Sequence, residues 1–134
     1  MREIALKIAW SYLGRPYIWG GDDPTGFDCS GFMIEILKSV GKLPRSGDWT
    51  AHSLAGRWPI SNLPTGGDLV FWENTRGHVV HVEMYICNGL AIGASGGGSR
   101  TRTIEDAAQQ NAFIKIRPIK SRAGVWGYTN PFGD

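Results

Sequence analysis

The apolar period of this chain changes once, from helical to extended, and that change limits the architectures open to it. Residues 2–13 place Ile4, Ala5, Ile8, Ala9, Tyr12 and Leu13 on one helical face, and Gly14 with Pro16 closes the run. A glycine-rich loop, 14–27, follows. A second helix is predicted from about Cys29, N-capped by Asp28, with Phe32, Met33, Ile36, Leu37 and Val40 as its apolar stripe and Gly41 as its stop. A short third helix is expected over about 48–55. Beyond "GRWPISNLPTGG" the pattern turns extended: 68–72 and 78–87 read as strands, Asn88-Gly89 as a hairpin turn and 90–95 as the return strand. "TIEDAAQQ" (103–110) is a helix whose Thr103 and Asp106 resemble a capping box. The last predicted strand, 112–119, carries Pro118, which cannot occupy an interior ladder position. Helices followed by an antiparallel meander give one α+β domain over 1–134, with the helices packed on one face of a sheet of about five strands.

The 134 residues suffice for one core. Glycine is the outlier: 19 residues, clustered at 14–31, 65–67, 89–98 and 124–133, point to tight turns and open loops. A net charge of +2 with scattered basic residues lacks the clustered footprint of a nucleic-acid binder, but suits a polymer carrying negative charge. Two cysteines make no disulfide framework. His52, His78 and His81 show no zinc-binding spacing, so neither metal nor cofactor is expected. The first residues lack the pattern of a secretory signal, and no apolar run reaches membrane-spanning length. The expectation is a monomer made in the cytoplasm.

Chemistry concentrates at "GFDCSG" (26–31). A cysteine in the first turn of a helix meets unpaired amides and the positive end of the dipole, which favour the nucleophilic thiolate. Its own amide can face a developing oxyanion. The alternative is a small buried hydrophobe. Cys87, at the end of "MYIC", reads as structural packing. A cysteine nucleophile needs a base that later returns the proton, and histidine suits that task. His81 lies within a strand where strict alternation places Val79, His81, Glu83 and Tyr85 on one face. His78 reads as solvated, and His52 as a possible groove residue.

Taken together, "GRPYIWGG…GFDCSGF", "LPR", "GGDLVFW" and "HVEMYICNG" resemble the NlpC/P60 family of papain-like cysteine peptidases over about residues 4–119. The resemblance implies that Cys29 is the nucleophile, His81 the general base, and Tyr17 of "PYIWGG" a neighbour of the thiol able to hydrogen-bond near the oxyanion. Asp28 and Ser30 then shape and cap the site. Trp19 either walls the groove or packs. Arg45 of "LPR" either meets a substrate carboxylate or is solvated.

Two positions depart from the family pattern. The third polar residue that orients the base, often a histidine on the following strand, falls here on Gly93; Ser95 has the same parity and is the substitute to consider. The glycine two residues after the base is Glu83, which either orients the ring, contacts an amino group of substrate, or is a solvated charge. What the resemblance implies is a peptidoglycan endopeptidase cutting stem peptides between D-glutamate, through its γ-carboxyl, and a diamino acid. The alternatives are an N-acetylmuramoyl-L-alanine amidase of the same catalytic type, and a wall-binding module of weak turnover. The stretches "GASGGGS" and "NAFIKIRP" resemble compact members of this family among phage-encoded lysis or tail-associated proteins, which implies release through a holin or carriage on a virion.

Overall fold

The computed structural model describes residues 1–20, 22–23 and 26–134, with Asp22, Asp23 and Gly26 as backbone only. Gly21, the last residue of "RPYIWGG", lies outside them, as do Pro24 and Thr25 of the predicted loop. The chain runs α1 (Arg2–Ser11), a two-stranded hairpin β1 (Asp22–Asp23) and β2 (Gly26–Phe27), α2 (Cys29–Ser39) and α3 (Ala51–Ala55). Then come β3 (Leu69–Glu73), β4 (Val79–Cys87), β5 (Leu90–Ser95), α4 (Ile104–Gln110), β6 (Phe113–Pro118), a short 3-10 turn and β7 (Val125–Thr129). The larger sheet has five antiparallel strands in the order β6-β5-β4-β3-β7. Pro118 sits on an edge strand, where its missing N–H leaves no ladder bond broken.

The caps set the helix starts. Asp28 accepts the Gly31 amide at 2.7 Å and begins α2 at Cys29. Gly41, with φ +75°, supplies the left-handed residue that ends it. Thr103 and Asp106 form the expected capping box on α4. A second box, Thr50 with Ser53, starts α3 at Ala51, three residues later than predicted. The Asn88-Gly89 turn has positive φ at both residues, as a two-residue hairpin requires.

One core lies between helices and sheet. It packs Phe32, Met33, Ile36 and Leu37 of α2, Ala5 and Ala9 of α1, and Leu54 of α3 onto Phe71, Val82, Met84, Ile92 and Ile114. A smaller cluster on the other sheet face joins Val70, Trp72, Ala91 and Ile119. Arg2 ties the first helix to this frame: its guanidinium bonds the buried Asp68 carboxylate at 2.8 Å and the Gly66 carbonyl at 2.9 Å, and pairs with Asp134.

Strict alternation fails at the start of β4. Trp72 pairs with His81 and Glu73 with Val79, so Val80 is an extra residue, a bulge. Val79 therefore joins the helix-side core with Val82 and Met84, instead of sharing the face of His81 and Glu83, and Val80 turns outward. A second irregularity between Tyr85 and Cys87 leaves the Cys87 thiol exposed, not packed as expected. β7, "VWGYT", was not predicted at all.

Candidate active site

The start of α2 opens into a groove of about 350 Å³ lined by Tyr17, Trp19, Asp28, Cys29, Ser30, Thr50, Ala51, His78, Val79 and Val80. A second depression shares Asp28, Ser30 and Thr50 and continues past Gly20, Lys38 and Trp49. Five residues singled out from sequence thus meet here: Cys29, Tyr17, Trp19, Asp28 and Ser30.

Cys29 occupies the first helical position, where its amide is not consumed by the α2 ladder. Backbone groups of Val82 and Ser30 hydrogen-bond its sulfur. Val82 follows His81 directly, so the helix terminus abuts β4 at the histidine. The His81 ring packs against Trp72, with centroids 5.1 Å apart, and its Nε2 lies 2.6 Å from Glu83 Oε2, leaving Nδ1 as its other nitrogen. His81 is buried and does not line the groove, to which β4 contributes Val79 and Val80.

Burial, then the charge of Asp28, pushes the Cys29 thiol up to about 11, against its two backbone hydrogen bonds and the positive charge of Arg122. This corrects the expectation of a resting thiolate. The helix terminus does favour an anion, but the Asp28 cap already supplies one, taking the Gly31 amide at 2.7 Å and the Gly20 amide at 3.1 Å. Burial also holds the His81 imidazole below its ordinary range; Glu83 opposes this, while Arg122 and Arg117 add to it. At neutral pH the pair therefore rests as neutral thiol and neutral imidazole.

Tyr17 is buried in the core as a ring, yet lines the groove; among the described residues its hydroxyl has no hydrogen-bond partner. Burial, followed by the charges of Cys29 and Asp28, raises its pKa, so it remains a donor. Trp19 is half exposed at the groove mouth and held by its amide on the Thr101 carbonyl.

Besides His81, three candidates stand outside the groove. Arg45 lines a depression with Glu35, Lys38 and Ser39, at the far end of an 11-residue helix that spans about 16 Å at about 1.5 Å per residue. It lies in the connection that follows α2, at the end opposite Cys29, and does not line the groove. Glu83, named for substrate binding, is only 3% exposed and turned onto His81, so it has no access to substrate. The Ser95 hydroxyl is buried and unpartnered among the described residues, so it does not hold the imidazole.

The sequence reading missed three features. Arg122, in the connection to β7, accepts the Trp72 Nε1–H on its carbonyl at 3.1 Å, and its charge acts on Cys29, Tyr17 and His81 together. His52 and His78 stack at 4.0 Å on the rim, and His52 Nδ1 accepts the Val79 amide at 3.0 Å beside the bulge. Only the rim position of His52 had a sequence signal. Gly97 lies against the Tyr17 ring; nothing in its glycine run marked it out.

A papain-like α+β domain with a helix-terminal cysteine against the sheet is the class this geometry defines. The chain belongs to the NlpC/P60 family, whose pattern matches residues 14–118. It is 40% identical over 92 residues to the gamma-D-glutamyl-L-lysine dipeptidyl-peptidase of Bacillus subtilis (strain 168), covering 67% of this chain and 31% of that protein. It is 38% identical over 95 residues to the murein DD-endopeptidase MepH of Escherichia coli (strain K12), covering 67% and 35%. The crystal structure of the NlpC/p60 domain of the peptidoglycan hydrolase SagA superposes with a TM-score of 0.71 at 28% identity, over 97% of this chain and 98% of that one. An NlpC/P60 protein from Bacillus cereus ATCC 10987 gives 0.75 at 27% identity, over 97% and 40%. This chain spans between 18% and 36% of the length of the curated relatives compared with it.

Proposed function

We propose that the domain is a peptidoglycan endopeptidase that hydrolyses stem-peptide amide bonds with Cys29 as nucleophile and His81 as general base. The observation that carries this reading is the placement of the Cys29 sulfur, in a groove at a helix terminus and against the backbone that bears His81, in a member of the NlpC/P60 family. The names of the relatives, a gamma-D-glutamyl-L-lysine dipeptidyl-peptidase and a murein DD-endopeptidase, support the substrate class.

As the neutral thiol attacks the carbonyl carbon, its proton passes to the imidazole. Attack thus creates the ion pair that the desolvated site does not hold at rest. The Cys29 amide and the Tyr17 hydroxyl face the oxyanion. Imidazolium then protonates the leaving amine as the C–N bond breaks, giving a thioester. Water, deprotonated by His81, attacks the thioester; the thiolate leaves, recovers the proton, and a carboxylate is released. The bond favoured is that between the γ-carboxyl of D-glutamate and the diamino acid.

Digestion of defined muropeptides followed by mass spectrometry tests this. The expected products divide the stem after D-glutamate. Release of intact stem peptide from muramic acid would make the protein an amidase, and binding without any cleavage would make it a wall-binding module.

A further inference from the structure

We propose that Glu83 is the positioning residue for the His81 imidazole and that Gly93, on the neighbouring strand, is the clearance that lets it act. The inference rests on the hydrolase reading and adds the group that holds the base.

Side chains two apart on one strand point the same way but do not normally touch, because the strand advances about 3.3 Å per residue. Glu83 bridges that gap by folding back along β4, and its Oε2 lies 2.6 Å from His81 Nε2. Both side chains are buried, so the bond is made away from competing water. The space for this conformation comes from β5. Met84 pairs with Ile92, which brings Gly93 opposite Glu83. A Cβ built at Gly93 would stand 2.9 Å from Glu83 Cδ and 3.0 Å from its Cβ, and closer still to Cγ. Any side chain at 93 therefore displaces the carboxylate. The other polar group on this part of β5, the Ser95 hydroxyl, makes no hydrogen bond among the described residues.

The surroundings fit an orienting carboxylate. Trp72 of β3 packs against the ring, with centroids 5.1 Å apart. Arg117 of β6 reaches Glu83 Oε2 from behind at 3.8 Å. Among the described residues, Lys115, which pairs with Gly93, and Arg122 are the remaining charged groups acting on this cluster. Held at Nε2, the ring has Nδ1 as its other nitrogen, and the carboxylate compensates the imidazolium formed during attack.

Two readouts test the proposal, one of them independent of substrate. In nitrogen-15 NMR of the protein, Glu83→Gln should move the His81 titration to lower pH, because Glu83 is the group that supports its charged form. In steady-state hydrolysis of a defined muropeptide, Glu83→Gln and Gly93→Ala should each lower kcat by about 10²-fold, within the range of general acid–base assistance, with KM changed less than about twofold and the circular dichroism of the wild type. Glu83→Gly combined with Gly93→His returns a polar ring to the same space from β5, and should recover turnover relative to Gly93→His alone. Wild-type kcat in Glu83→Gln, a loss confined to KM, or an unmoved His81 titration would overturn the proposal. Should the wild type hydrolyse no muropeptide, the hydrolase reading fails, while the His81 titration still decides whether Glu83 holds the ring.

Discussion

Gly97 lies flat against the ring of Tyr17: a Cβ added there would come within 2.6 Å of the ring carbon Cγ and 2.7 Å of Cε1. No backbone strain is involved, so the constraint is one of space. Gly97→Ala should push the phenol out of the groove. Overpacking of this kind costs about 1–3 kcal/mol, and a shift of the ring by about 1 Å lowers kcat by about 10- to 100-fold. A melting curve together with muropeptide kinetics checks both; unchanged turnover would remove Tyr17 from the oxyanion site.

A thiol raised by burial and by Asp28 reacts slowly at neutral pH. In a Cys87→Ser background, needed because Cys87 is exposed, alkylation of Cys29 by iodoacetamide should climb with pH as the thiolate fraction grows, with an inflection at about 11. A plateau reached by about pH 8.5, the ordinary thiol value, would show that the helix terminus outweighs desolvation.

Arg122 lowers both the Cys29 and the His81 pKa. Its charge favours the thiolate and disfavours the imidazolium, so the two effects oppose each other in the proton transfer between them. Arg122→Gln should move the alkylation profile to higher pH and the acid limb of kcat/KM likewise, and Arg122→Lys should keep both near wild type. Measured pH profiles of the three proteins check this.

Arg2 and Asp68 form a buried ion pair at 2.8 Å. Arg2→Met leaves the Asp68 carboxylate buried without its cation, at a cost of about 3–5 kcal/mol. Thermal denaturation should show the loss, and adding Asp68→Asn should recover part of it.

Period and punctuation carried most of the fold. The stop at Gly41, the boxes and caps at Asp28 and Thr103, and the Asn88-Gly89 turn are local devices, written in adjacent residues. The bulge at Val80 is not local: it depends on how β4 registers against Glu73, so alternation alone put Val79 on the wrong face. β7 escaped notice because its five residues include a central glycine and acquire their strand form by pairing with β3. At the site, Cys29, Tyr17 and Trp19 stood in motifs. The raised thiol did not, because desolvation belongs to the packed molecule. Nor did Arg122, brought to the site by a connection that carries no motif. Glu83 was visible as a departure, and only the packing at Gly93 shows why its carboxylate faces the ring.

The intact mass of the protein, quenched in acid during turnover of a defined muropeptide, tests the central claim most directly. Wild type should carry an acyl adduct mapped by fragmentation to Cys29, and Cys29→Ala should carry none and release no product. Hydrolysis by Cys29→Ala at the wild-type rate would contradict the account.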